Sequence, residues 1–201
     1  MKTEIIEMIR DILPEYDKVN EGGHGREHII DVITKSYHMA IEFGENPEVC
    51  CTAALLHDIG LLNYSRKIHH IGSAIYVTEH IDMLSRYFNE EEIYKIFSAV
   101  LEHRSGFNEE YTSLVSKIVS DADRSTNIYL MISRSYQYNK NKGFNEEKIY
   151  REVYSHLKEK YYDRKYTFIS RSLQEELDNA RTILENKTLF DEYYKKITSS
   201  L

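Results

Sequence analysis

Helices in this chain have few places where they must stop. Two prolines occur in 201 residues, Pro14 and Pro47, and Gly143 is the last glycine. Proline in a helix interior costs about 3 kcal/mol and glycine about 1 kcal/mol relative to alanine, so their scarcity leaves long stretches free to coil. Apolar residues recur at helical spacing, and no stretch alternates as a strand would. The spacing predicts helices over 3–13, 27–43, 47–57, 69–86, 90–103, 112–129, 145–160 and 170–198, with Gly44 as a C-terminal stop. Asn46-Pro47 reads as a cap followed by a first helical residue. EGGHG at 21–25 and YNKNKGFNEE at 138–147 read as turns. The expected class is all-α, a bundle rather than a coiled coil. No linker is long enough to cut the chain, so one domain over 1–201 is expected, with a helical extension over 144–201.

Hydrophobic residues make up 41% of the chain, enough for a real core, and the formal net charge is −7. A nucleic-acid-binding surface is usually basic, so nucleic acid is not an expected partner. No apolar run reaches the roughly 18 residues of a membrane span. The N-terminal stretch MKTEIIEMIRDIL is interrupted by acids, unlike a signal peptide. The only cysteines, Cys50 and Cys51, are adjacent, read as small buried residues on a helix, and fit a reducing compartment. A cytoplasmic protein without a membrane partner is expected.

Eight of the nine histidines fall between 24 and 103: His24, His28, His38, His57, His69, His70, His80 and His103. A packed helical core needs few imidazoles, and each buried one must find hydrogen bonds or a metal. In AALLHDIG, residues 53–60, an apolar helix runs straight into His57-Asp58. A buried carboxylate is costly unless something pairs with it. Neighbours on a helix point about 100° apart, so both side chains reach one cation only where the helix ends, and Gly60 supplies such an end. Imidazole plus carboxylate suits iron, manganese, zinc and similar ions; a His–Asp hydrogen bond that caps a helix would use the same pair. HGREHIIDV puts His28 in the first turns of a helix. SDADRS puts Asp121 and Asp123 behind the apolar run of Leu114, Val115, Ile118 and Val119, where a solvated face is the simple alternative.

The ordered set His28, His57-Asp58 and a late Asp before a basic residue resembles the HD superfamily of metal-dependent phosphohydrolases. The likeness covers about residues 20–130 and includes ALLHDIG and KIVSDADR. It implies His28, His57, Asp58 and Asp123 as metal ligands; Asp123, between Ala122 and Arg124, is preferred to Asp121, which stays the fallback. KIHHIGSAIYV and VLEHRSGF resemble the segments that carry a third and fourth histidine in binuclear members, here His69 and His103. Six such ligands would suit two divalent ions bridged by Asp58; around one ion, these two histidines would instead stand behind the ligands or meet substrate. The layout is similar to HD-type diadenosine tetraphosphate hydrolases and, more distantly, to cyclic-dinucleotide phosphodiesterases with HD domains. HRSGFNEEYT replaces the GYP of the latter.

The resemblance implies hydrolysis of a phosphoester or phosphoanhydride, in a small-molecule substrate such as a nucleotide, by a metal-bound hydroxide. The implied cofactor is one or two divalent ions, iron or manganese first, then zinc, nickel and magnesium. Asp58 would bridge, Asp121 would order the water, and His24 would give a proton or touch substrate. Arg26, Lys67, Arg104 and Arg124 are the candidates for clamping phosphate; each also reads as a plain surface charge. Tyr64, between the HD pair and His69, is the aromatic placed to meet a base. Two rivals are a non-catalytic protein that binds metal and nucleotide, and a di-iron oxygenase. A homodimer is compatible with all three.

Overall fold

The computed structural model describes residues 1–19, 23–104, 110–163 and 166–201. Among the described residues every regular element is helical, as the missing alternation predicts. The chain divides into two compact units, Met1–Arg124 and Ser125–Leu201. The second therefore begins well before residue 144, the start read for the extension. The first two residues of the glycine turn at 21–25, and the glycine after His103, lie outside the described residues. No helix is long and apolar enough to cross a membrane, among the described residues.

The first unit holds α1 (Thr3–Ile12), α2 (Arg26–Phe43), α3 (Pro47–Leu56), α4 (His69–Glu79), α5 (Ile81–Leu84), α6 (Glu90–Glu102) and α7 (Leu114–Asp123), with 3-10 turns at Leu13–Lys18 and Ile59–Leu62. α3 is its axis. Every side chain from Val49 to Leu56 is buried, and α3 packs against α1, α2, α6 and α7. A helix apolar on all sides belongs at the centre of a bundle. Cys50 and Cys51 sit there as free thiols, as expected of small buried residues. Local chemistry fixes the ends of α3 and its neighbours. Gly44 ends α2 at φ 73°, in the left-handed region, and the Asn46 carboxamide accepts from the Glu48 amide at 3.0 Å to start α3. Asn89 and Glu92 form a reciprocal capping box on α6. The phenol of Tyr16, fully buried, donates to the Leu55 carbonyl and so anchors the end of α3.

The second unit holds α8 (Ile128–Asn141), α9 (Glu146–Leu157), a π-helical turn at Lys158–Asp163, α10 (Arg171–Glu185) and α11 (Lys187–Thr198). Leu173, Leu177, Ala180 and Leu184 line the buried face of α10. Phe190 is fully buried among the rings of Tyr150, Tyr154 and Tyr194, at centroid distances of 6.0, 4.8 and 6.0 Å.

Three expected helices prove to be broken, and in two of them an asparagine starts the following helix. The 112–129 helix stops at Asp123; Arg124 turns extended (φ −78°, ψ 128°). Asn127 then caps α8 by accepting from the Tyr129 and Leu130 amides, in a stretch whose helix the spacing did not predict. The 170–198 helix breaks at Asn186, which is extended and accepts from the Leu189 amide to start α11. The expected 69–86 helix divides between α4 and α5 at His80.

Candidate metal centre

Five helix ends meet in the first unit. His28 lies in the first turn of α2, His57 caps the end of α3, His69 opens α4, His103 caps the end of α6, and Asp123 is the last residue of α7. Asp58 follows His57 and opens the 3-10 turn. Helix ends leave backbone groups without partners, and three histidines use them in one way. The Nδ1 of His57 donates to the Ala54 carbonyl (2.7 Å), that of His69 to Arg66 (2.7 Å), and that of His103 to Val100 (2.8 Å). A carbonyl only accepts, so Nδ1 carries a proton and Nε2 of each ring is turned inward, free to present a lone pair once a metal takes the place of a second proton.

The Asp58 carboxylate stands at the centre, and only 1% of it is exposed. Its Oδ2 lies 3.3 Å from His57 Nε2, 3.6 Å from His28 Nε2 and 2.7 Å from His24 Nδ1. Its Oδ1 lies 3.1 Å from His69 Nε2 and 3.5 Å from His103 Nε2. Asp123 Oδ1 completes the first side at 3.1 Å from His28 Nε2 and 3.7 Å from His57 Nε2. These atoms form three groups close enough to hold an ion: His24, His28 and Asp58; His28, His57 and Asp123; Asp58, His69 and His103.

His24 Nδ1 makes a hydrogen bond to Asp58, but other short contacts in the cluster are not hydrogen bonds. Among the described residues, the buried Nε2 atoms of His28 and His57 have no hydrogen-bond partner. The Nε2 atoms of His69 and His103 stand 2.9 Å apart, at hydrogen-bond distance; with both Nδ1 atoms already donating, either an extra proton or a metal ion must sit between the two facing nitrogens. Nitrogen and carboxylate donors that converge on a shared space fit a divalent transition metal.

Charge follows the same logic. Burial alone would raise the Asp58 carboxyl, but the imidazoles of His57, His103, His24 and His28 outweigh it and hold it well below the usual carboxylate range. Burial opposes ionisation of Asp123 too, and His28 and His57 overcome it. Burial disfavours protonated His28 and His57, yet the two carboxylates draw both above the ordinary imidazole value. Without a metal, protons supply the missing positive charge. His103 goes the other way: burial, and then the charge of His57, keep it low and neutral.

The remaining residues singled out in the sequence are placed differently. Asp121 is fully buried and pairs with Lys117 Nζ at 2.7 Å; it belongs to none of the three groups. Arg26 pairs with Asp17. Lys67 is exposed, and its carbonyl accepts from Arg104 Nη1 at 2.6 Å. Arg124 Nη2 reaches Ser120 Oγ at 3.4 Å. The Tyr64 ring lies against Gly72, where an added Cβ would stand 2.2 Å from Cδ2. His80 stacks on Tyr76 at 3.9 Å.

Sequence reasoning passed over several supports. Glu102, buried, accepts from the Thr112 amide at 3.0 Å and from its hydroxyl, tying the end of α6 to the start of α7. Ser120 Oγ donates to the His103 carbonyl at 3.1 Å. Burial and the Arg104 charge bring His70, beside His69, down to about 4. Glu102 beside His103 and His70 beside His69 were signals the sequence offered; Ser120, 17 positions from His103, gave none.

Fold and site together define an all-α protein with a buried His/Asp centre suited to divalent ions. The profile of the HD domain family matches residues 25–128, and the chain belongs to that family. An uncharacterized protein of Clostridium beijerinckii is 35% identical over 95 residues, 46% of this chain and 60% of that protein, so the chain spans less than two thirds of this relative. An HD-superfamily hydrolase from Bacillus thuringiensis superposes with a TM-score of 0.63 at 20% identity over 96% of each chain. Bacillus subtilis YpgQ, solved in complex with ADP, superposes with a TM-score of 0.60 at 16% identity over 98% of this chain and 96% of its own. At such identities the likeness is one of fold.

Proposed function

We propose that the protein is a metal-dependent phosphohydrolase that cleaves a phosphoester or phosphoanhydride bond in a nucleotide. The observation that carries this reading is the division of Asp58 between two sets of imidazoles, one carboxylate oxygen toward each. His28, His57, Asp58 and Asp123 would hold one ion; Asp58, His69 and His103 would hold a second. Bound divalent ions make water nucleophilic near neutral pH and offset negative charge gathering at phosphorus. Iron and manganese suit the mixed nitrogen and oxygen donors best, with zinc, nickel and magnesium behind them.

The chain's own residues do the rest. The three Nδ1–carbonyl hydrogen bonds fix the ligand rings before anything binds. His24 is partly open to solvent, with 17% of its side chain exposed, and reaches Asp58 Oδ2 through Nδ1. From there it holds the bridging carboxylate or passes a proton at the mouth of the site. Arg104, next to His103 in the chain, and Lys67, two residues before His69, are the cations best placed to meet phosphate. Asp121, held by Lys117, takes no part in this scheme. The ADP found in YpgQ supports a nucleotide as the substrate class.

The test is a screen of Mn²⁺- or Fe²⁺-loaded protein against nucleotides, dinucleoside polyphosphates and simple phosphodiesters, with products followed by chromatography. Cleavage of at least one of them, lost in Asp58→Ala, is expected. Nucleotide binding without turnover would favour the non-catalytic reading. Oxygen uptake without phosphorus-bond cleavage would favour the oxygenase.

A further inference from the structure

Ser73 lies one turn beyond His69 on α4 and is fully buried. Its hydroxyl donates to the His57 carbonyl at 2.7 Å and accepts from the Gly60 amide at 3.0 Å. One side chain thus joins both flanks of the His57-Asp58 pair to the helix that carries His69. The backbones meet just as closely. A Cβ on Gly60 would stand 2.1 Å from the His69 carbonyl oxygen and 2.6 Å from the Ser73 amide nitrogen, so only glycine admits this approach. His69, which opens the same helix, has its Nε2 3.1 Å from Asp58 Oδ1.

We infer that Ser73 is a positioning residue for the metal pair: its clasp on His57 and Gly60 sets His69 at the second oxygen of Asp58. The inference rests on the two-ion reading above. His57 keeps its own hold through Ala54, so the first ion's ligands remain without the clasp. The register of α4 against the 57–60 turn depends on it, and His69 moves with α4. The second ion is therefore the one whose affinity Ser73 governs. Groups behind the ligands commonly change metal affinity by about 10–100-fold.

The experiment compares wild type, Ser73→Ala and Ser36→Ala in the full-length protein. Ser36 is equally buried, but its hydroxyl makes no hydrogen bond among the described residues, so its loss controls for removing a buried serine. Calorimetric titration with Mn²⁺ and elemental analysis after desalting read affinity and stoichiometry directly. Wild type and Ser36→Ala should hold about two ions per chain, and Ser73→Ala about one, with the weaker site at least roughly 10-fold weaker. Ser73→Cys, which keeps a weak donor of similar size, should fall between them and serves in its place if the alanine variant does not fold. Unchanged affinity at both sites in the Ser73 variants, even with a lower melting temperature, would overturn the inference and leave the two-ion reading intact. A wild type that binds no Mn²⁺ would overturn both.

Discussion

Met1–Arg124 and Ser125–Leu201 are both helical, yet they bury opposite things. The first encloses imidazoles and carboxylates at its centre: His28, His57, Asp58, His69 and His103, with Asp123 at the edge. The second encloses aromatic rings, and its buried polar side chains Thr126, Asn139 and Ser170 find partners within a few residues or on a neighbouring helix. Histidine follows the same division, with His156 the lone one after residue 103. Buried polarity that is satisfied locally is architecture. Buried polarity that converges without satisfying itself waits for a ligand.

The strongest attempt to break this contrast is Asp58→Ala, which removes the group shared by both sets of imidazoles. Metal binding should weaken by at least roughly 100-fold, hydrolysis should fall to background, and the stabilisation that Mn²⁺ gives the wild type in thermal melting should vanish. Retained binding would mean that the carboxylate is only a helix-end partner. Phe190→Ala is the counterpart in the second unit. It should cost about 3–5 kcal/mol in denaturant unfolding with metal stoichiometry unchanged; a lost ion there would erase the distinction.

Gly60→Ala probes the closest backbone approach in the first unit. Because the added carbon collides with backbone atoms of His69 and Ser73, metal affinity should drop roughly 10–100-fold, more than the melting temperature alone would suggest. The smallest effect concerns alkaline pH. Burial, and then Glu146 and Tyr136, push Tyr194 up to about 12; burial and Asp191 move Tyr150 the same way. A phenol raised in the folded state contributes stability in full below its unfolded value of about 10. That contribution is lost as pH rises from there through the folded value. Tyrosinate absorbance should therefore lag behind that of model tyrosine until the second unit loosens. Tyr194→Phe should shift stability at neutral pH by no more than about 0.5 kcal/mol, since its hydroxyl has no hydrogen bond to lose among the described residues.

Much of this could be read in advance, for physical reasons. Gly44, Asn46-Pro47 and the apolar run of α3 work within a single turn, so local pattern was enough. The histidines stood out because a helical core has little use for them, and HD next to Gly60 marked a helix end. Asn127 and Asn186 misled because the residues around each keep helical spacing; the cap's effect depends on its own dihedral angles, which composition does not reveal. Asp121 and Asp123 could not be separated by chemistry. Two positions on a helix point about 200° apart, and only the arrangement of α2, α3 and α7 turns Asp123 toward His28 while Asp121 meets Lys117. Ser73 was hidden by its ordinariness, since its importance comes from what lies across from it.

The adjacent thiols on α3 carry a practical consequence. Burial raises Cys50 strongly and Cys51 to about 12, so neither offers a nucleophilic thiolate at neutral pH. Alkylating reagents can reach them only when the central helix is pulled from the bundle, and that helix ends in His57. The rate of cysteine labelling is therefore a clock for dismantling the centre, readable without following catalysis, and it should slow when Mn²⁺ is added.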